Sequence, residues 1–218
     1  MKNLPVTRLL VVRHGETRWN IENRYQGHGD SPLTEAGLAQ AEALGRRLSH
    51  AAFDVLVSSD LERARTTAAC IAAFTRHPLQ TDPRLRERNF GILEGLTLEE
   101  ILARHTTVYE RLQTGDPDYR PPQGESHRDH YRRNIAFLEE WHHTRPGTSA
   151  VWVVHGGVLD SLFRFVAQLP LTQPRCFVVP NASLSVLSHG TFYGTPRWVI
   201  EAWGQVDYLD GIGYMAGL

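Results

Sequence analysis

Three short aliphatic runs frame this 218-residue chain. They are residues 8–12, with Leu9-Leu10-Val11-Val12 at their centre, then Asp54-Val55-Leu56-Val57, then Ala150-Val151-Trp152-Val153-Val154. Each is one strand long and apolar without alternation, the pattern of strands buried on both faces of a parallel sheet. After each run the period changes to that of a helix. Leu38, Ala41, Leu44 and Leu48 follow Thr34 as N-cap. Leu61, Ala64, Ala68 and Ile71 follow Ser58-Ser59-Asp60, three capping residues. Tyr131, Ile135, Leu138 and Trp141 follow Ser126, with Asp129 placed as in a capping box. Val158 to Gln168 gives the helix after the third run. This alternation predicts an α/β fold: a three-layer sandwich with a mostly parallel central sheet and helices on both faces. Further strands are expected at Cys176–Val179, Ser183–Leu187 and Trp198–Ala202, and Trp19–Asp30 reads as loop.

One section breaks the rhythm. Around residues 83–125, Gly91 and Gly95 interrupt the pattern, a helical piece runs from Leu98 to Leu112, and Pro117, Pro121 and Pro122 end it. The expectation is a single domain over residues 1–218 with a lid-like insertion at about 83–125. The glycine-rich end, Gly211 to Leu218, is expected to be loosely held.

Charge and composition narrow the function. The net charge is −1, so no overall basic field calls for nucleic acid or an anionic membrane as partner. No apolar run approaches the ~20 residues that span a bilayer. Met1 to Thr7 lacks a signal-peptide core. Cys70 and Cys176 form no CxxC pattern, which fits a reducing, cytoplasmic setting. His127 and His130, like His142 and His143, accompany no HExxH or Cys/His cluster. They read as solvated helix faces, and no metal site is expected.

The chemistry gathers at the carboxyl ends of the three runs. The first delivers Arg13 and His14, the second Ser58, Ser59 and then Arg63, the third His155, Gly156 and Gly157. In open α/β sheets the ligand crevice lies beyond these ends, and helix N-termini there favour anions. Two arginines and two histidines are thus expected to form a phosphate site. An imidazole beside an arginine is held neutral, so His14 keeps a lone pair. There is no GxxxxGK[ST] loop, no acidic cluster for magnesium and no Cys-x5-Arg loop. His14 is therefore the candidate nucleophile toward phosphorus. Arg13, Arg63 and His155 would stabilise the equatorial oxygens. Glu87, at the start of the insertion, is the candidate proton donor to a leaving alkoxide. Asn20 and Thr17 carry neutral donors suited to a phosphate oxygen, and Glu16 reads as an orienting partner for an arginine or a helix end.

In order along the chain these residues resemble the histidine phosphatase superfamily, in its phosphoglycerate-mutase-like branch. The likeness rests on Arg13-His14-Gly15-Glu16-Thr17-Arg18-Trp19-Asn20, Gln26-Gly27, Asp30-Ser31-Pro32-Leu33-Thr34 and Ser58-Ser59-Asp60-Leu61-Glu62-Arg63-Ala64. It continues through Glu87-Arg88-Asn89-Phe90-Gly91, Gly124-Glu125-Ser126 and His155-Gly156-Gly157. The resemblance implies a phosphohistidine on His14, a pocket completed by Arg13, Arg63 and His155, Glu87 as proton donor, and no metal or cofactor. It also implies substrate contacts through Asn20, Gln26, Gly27 and the backbone of Gly156. Cofactor-dependent mutases of this family carry a lysine eleven residues after the acidic residue and an arginine pair further on. Here those places read Leu98 and Gln113-Thr114-Gly115, which points to the phosphatase side, with a cofactor-dependent mutase as the alternative and a non-catalytic phospholigand-binding module as a third reading that the intact His14, Glu87 and His155 set argues against. Asp160 departs from the arginine often found after His-Gly-Gly. The expected partner is a small phosphorylated metabolite, with homodimerisation left open.

Overall fold

The computed structural model describes residues 5–213, so residues 214–218 of the glycine-rich end lie outside it. Six strands form one sheet: β1 (Thr7–Arg13), β2 (Val55–Ser58), β3 (Leu79–Thr81), β4 (Ser149–Val154), β5 (Leu184–Phe192) and β6 (Thr195–Gln205). Their order is β3-β2-β4-β1-β5-β6. β1, β2, β3 and β4 pair in parallel, while β5 runs antiparallel to both β1 and β6. The sheet is mostly parallel, as expected.

The helices are α1 (Arg18–Ile21), α2 (Glu35–Leu48), α3 (Glu62–Thr75), α4 (Leu98–Gln113), α5 (His127–Thr144) and α6 (Gly156–Ala167). Side chains alternate across a strand, so each aliphatic run feeds two cores. Leu9, Val11, Trp152 and Val154 pack with Leu138 of α5 and Leu159 of α6. Leu10, Val12, Val151 and Val153 pack with Leu44 of α2 and Ala68 of α3 on the other face. This is why the runs need no polar alternation.

Three elements differ from expectation. Cys176–Val179 is irregular loop, not strand. Pro174 and Pro180 flank it, and the Val179 carbonyl accepts from the Arg13 guanidinium instead of a neighbouring strand. The short edge strand β3 and the single turn α1 fall where no strand or helix was expected, because neither has room for a period. The insertion opens with short 3₁₀ turns at Pro83–Leu85 and Gly91–Leu93, and α4 is kinked at His105. Its two ends are tied together: Ile92 N donates to Pro122 O at 3.1 Å, and Glu125 N to Asn89 O at 2.9 Å.

Candidate active site

Sheet register brings the two histidines together. Arg13 of β1 pairs with Val154 of β4, so the residues that follow, His14 and His155, leave the sheet side by side. Their ring centroids lie 5.2 Å apart. His14 is buried, and its Nδ1 meets the Gly15 carbonyl at 2.7 Å. A carbonyl can only accept, so Nδ1 carries the hydrogen and Nε2 the lone pair. Burial, then the charges of Arg63 and Arg13, hold His14 well below the usual histidine range. His155 is also held well below that range, by burial, Arg63 and His14. Both rings are neutral at working pH.

The cations stand around them. Arg13 is buried, with its guanidinium on Val179 O, and burial lowers it to about 10 despite the opposing charge of Glu87. Arg63 enters from the first turn of α3. It donates to Gly27 O at 2.7 Å, Gly29 O at 2.8 Å and Asp30 Oδ1 at 3.1 Å. Asp30 also accepts from the first backbone N–H groups of α3, replacing the cap that Leu61 does not provide. Ser59 accepts from Leu61 N, while Asp60 turns away to Arg86 at 2.7 Å. Of the three expected capping residues, one serves the helix start.

Four buried nitrogens at the centre have no hydrogen-bond partner among the described residues: Arg13 Nε, Arg63 Nε, and both nitrogens of His155. Buried polar groups are almost always paired, so this concentration marks a place for an oxygen-rich ligand. Gly27, whose carbonyl accepts from Arg63, leaves no room for a side chain. Its φ is +56°, and a Cβ there would lie 2.0 Å from Glu94 Oε1.

Glu87 reaches the same place from the insertion. Its Oε2 accepts from Gly157 N at 2.9 Å and its Oε1 from Arg88 N at 2.7 Å. Arg86 pairs with Asp60, and the Arg88 side chain with the Glu125 carbonyl, so neither guanidinium neutralises Glu87. Gly157 is required for this approach, since a Cβ would lie 2.1 Å from Glu87 Oε1.

Thr17, Asn20 and Gln26 line one edge. Thr17 and Asn20 form the capping box of α1, and the Thr17 hydroxyl lies 3.1 Å from Gln26 Oε1. Asn181 Nδ2 donates to Asn20 Oδ1 at 3.2 Å. The Thr17 hydroxyl is thus engaged within the loop. The side-chain nitrogens, Asn20 Nδ2 and Gln26 Nε2, hold no hydrogen bond among the described residues. Glu16 serves a helix end: its Oε1 accepts from Thr34, the N-cap of α2, at 2.8 Å.

Three supporting residues escaped the sequence reading. Arg133 of α5 donates to the carbonyls of Arg84, Arg86 and Glu87 and to both oxygens of Glu125, clamping the arm that carries Glu87. Glu94 accepts from the backbone N–H groups of His28, Gly29 and Phe90, stapling the 27–30 loop to the same arm. His130, expected on a solvated face, is buried with its Nε2 3.8 Å from Glu87 Oε1. Residues of the same types at the same spacings would look identical on a surface helix. Only the Gly124-Glu125-Ser126 motif beside Arg133 offered a signal. His127 also points inward, meeting Asp160 at 3.3 Å.

No three His, Cys, Asp or Glu side chains gather as metal ligands among the described residues. None of their helices is long and apolar enough to cross a membrane. The broad groove between the end of α6 and β6, lined by Phe165, Trp198 and Ile200, contains none of the groups above.

A mostly parallel sheet that delivers Arg-His and His-Gly-Gly to one anion pocket defines the class, and a family model agrees. The chain belongs to the histidine phosphatase superfamily (branch 1), whose model matches residues 9–205. Among its relatives, a probable phosphoglycerate mutase, GpmB, of Yersinia pestis (strain Pestoides F) is 35% identical over 201 residues, 92% of this chain and 94% of that one. The structure of Bacillus stearothermophilus YhfR superposes with a TM-score of 0.82 at 30% identity, covering 94% of this chain and 100% of that chain. A mycobacterial glucosyl-3-phosphoglycerate phosphatase, solved with VO3, gives 0.80 at 32% identity over 91% of this chain and 99% of that one.

Proposed function

We propose that the chain is a metal-independent phosphomonoester hydrolase acting on a small phosphorylated metabolite. The observation that carries this reading is the lone pair of His14 Nε2 beside the unpaired N–H groups of Arg13 and Arg63. His14 Nε2 attacks phosphorus in line as the bond to the ester oxygen breaks. Glu87 gives its proton to that oxygen. The Glu87 carboxylate then takes a proton from water, whose oxygen attacks the phosphohistidine and frees His14. Arg13 and Arg63 supply the positive charge that a metal would otherwise bring to the three equatorial oxygens, and His155 adds a neutral donor. The side-chain nitrogens of Asn20 and Gln26 and the backbone of Gly27 and Gly156 form the lip that receives substrate, with Thr17 holding the side-chain oxygens of Asn20 and Gln26. The insertion that carries Glu87 acts as the lid.

The alternative is a phosphoglycerate mutase, favoured by the name of the Yersinia relative. Against it, Leu98 is a half-exposed apolar residue at the first position of α4, where the mutases place a cation. Without that cation a doubly phosphorylated intermediate is held less firmly, and water takes the phosphoryl group. The test is a panel of phosphorylated metabolites, read for phosphate release and isomer formation in parallel. Phosphate release without a bisphosphate activator supports the hydrolase. Activator-dependent isomerisation that outpaces release establishes the mutase.

A further inference from the structure

The two edges of the sheet are unlike. At one edge β3 has three residues, too few to template another strand. At the other, β6 has eleven, and among the described strands only β5 pairs with it. β6 has no lysine, and its one proline, Pro196, stands beside the hairpin turn. Its pairing with β5 is regular from Thr195 to Ile200, and the register shifts begin only beyond. The hairpin fixes what this edge presents. Tyr193 and Gly194, both at positive φ, join Phe192 to Thr195 as a two-residue turn. Phe192 and Thr195 then exchange both backbone bonds, and the alternation repeats at Arg197 and Val199. The backbone groups of Trp198 and Ile200 therefore point away from β5, across the open edge. Their side chains lie against the α5–α6 core, beside the groove at the end of α6. Arg197, Val199 and Glu201 take the opposite face, where Arg197 is exposed and Glu201 meets Arg8 at 2.9 Å.

We propose that β6 is the interface of a homodimer, pairing antiparallel with β6 of a second copy about a two-fold axis at Val199. The edge is complementary to itself in this register. Trp198 comes opposite the partner's Ile200, and their outward backbone groups exchange bonds, once on each side of the axis. Arg197 comes opposite the partner's Glu201 and adds a second cation to a carboxylate that Arg8 already meets. No like charges face each other. Neighbouring registers lose this fit. An axis one residue earlier sets Pro196, which has no N–H, against the partner's Ile200. An axis one residue later sets Arg197 against the partner's Trp203. The two sheets join into one, and the groove beside Trp198 receives the partner's apolar side chains.

The test is sedimentation equilibrium of the full chain, combined with cysteine cross-linking that reads the register. The chain is expected to be a dimer at about 100 μM, where a specific interface of standard size is filled. In a Cys176→Ser background, which removes the exposed native thiol, Val199→Cys is expected to form a disulfide between copies on mild oxidation. Across the axis its Cα would lie about 4.5 Å from its counterpart, within disulfide reach. Arg197→Cys and Glu201→Cys are expected not to cross-link, because each lies four residues, about 13 Å, from its own counterpart. Arg197→Glu and Glu201→Arg should each weaken association about tenfold or more by setting like charges face to face. Mixed in equal amounts, the two variants should recover wild-type association, since each then offers the charge the other lacks. A chain that stays monomeric at about 100 μM leaves the edge to a strand of another protein and overturns the proposal. A dimer that neither charge reversal weakens, or cross-linking equal at all three positions, places the interface elsewhere and overturns it too.

Discussion

Two arginine clusters flank the first turn of α6, and the protein treats them in opposite ways. On one side Asp160, buried, accepts from Arg164 at 2.8 Å and Arg175 at 3.2 Å and meets His127 at 3.3 Å. Arg164 completes its bonding on Pro170 O, and Arg175 reaches Gly156 O. Burial pushes the Asp160 carboxyl up, but its bonds from His127 and Arg164 and the charge of Arg175 outweigh this and hold it far below the usual range. On the other side, among the described residues, Arg13 meets no carboxylate, Arg63 meets one, and each keeps a buried Nε–H unpaired. Charge matched by charge ties helix, helix and loop together. Charge left unmatched beside neutral imidazoles waits for an anion. The difference separates cations that tie the fold together from cations left open at the pocket.

The largest expected effect on stability comes from the matched side. Asp160→Ala strands Arg164 in the interior and should cost about 3–5 kcal/mol in urea denaturation, as removing one partner of a buried ion pair does. Its folded fraction should keep kcat within a few-fold. A large fall in kcat with little change in stability would erase the contrast. Arg63→Ala should behave the other way in turnover, losing at least ~10² in kcat/KM. Phosphate should no longer raise its melting temperature, a shift readable by calorimetry.

A smaller effect isolates geometry from charge. Gly157→Ala places a methyl where Glu87 Oε1 now lies and should push the carboxyl aside. The expected loss is about 10² on alkyl phosphates, and less on p-nitrophenyl phosphate.

The gentlest test is pH. His14, His130 and His155 are all held neutral below their ordinary range by burial. The unfolded chain binds protons there that the folded chain does not, so stability falls as pH drops below about 6.5. The slope is about 1.4 kcal/mol per pH unit for each such histidine. His130→Phe should remove one histidine from that slope between about pH 6 and 4. Asp160 adds its own loss only at lower pH, once the carboxyl begins to protonate.

The unmatched side of this contrast was legible in the sequence. Uninterrupted aliphatic runs reveal a buried parallel sheet, and a parallel sheet gathers whatever follows its strands at one edge. That argument alone placed His14, Arg63 and His155 together. It could not reach residues whose partners are set by packing. His130 and His127 have the spacing of any exposed helix face, and only the docking of α5 against α6 turns them inward. Glu94 acts on backbone atoms, and Arg133 does so apart from its pair with Glu125, and backbone partners leave no pattern in side-chain identity. Cys176–Val179 has strand-like residues, yet its prolines and the demand of Arg13 for a carbonyl keep it out of the sheet. Asp160 marked itself as unusual, but its partner Arg175 comes from a loop of no regular period.

The most direct test of the whole account is rapid-quench trapping of the phosphoenzyme, followed by peptide mapping and ³¹P–¹H correlation NMR. A phosphoryl group on Nε2 of His14, stable in alkali, lost in acid and absent from His14→Ala, is the predicted result. A phosphoryl group on another residue, or one that persists in His14→Ala, would contradict it.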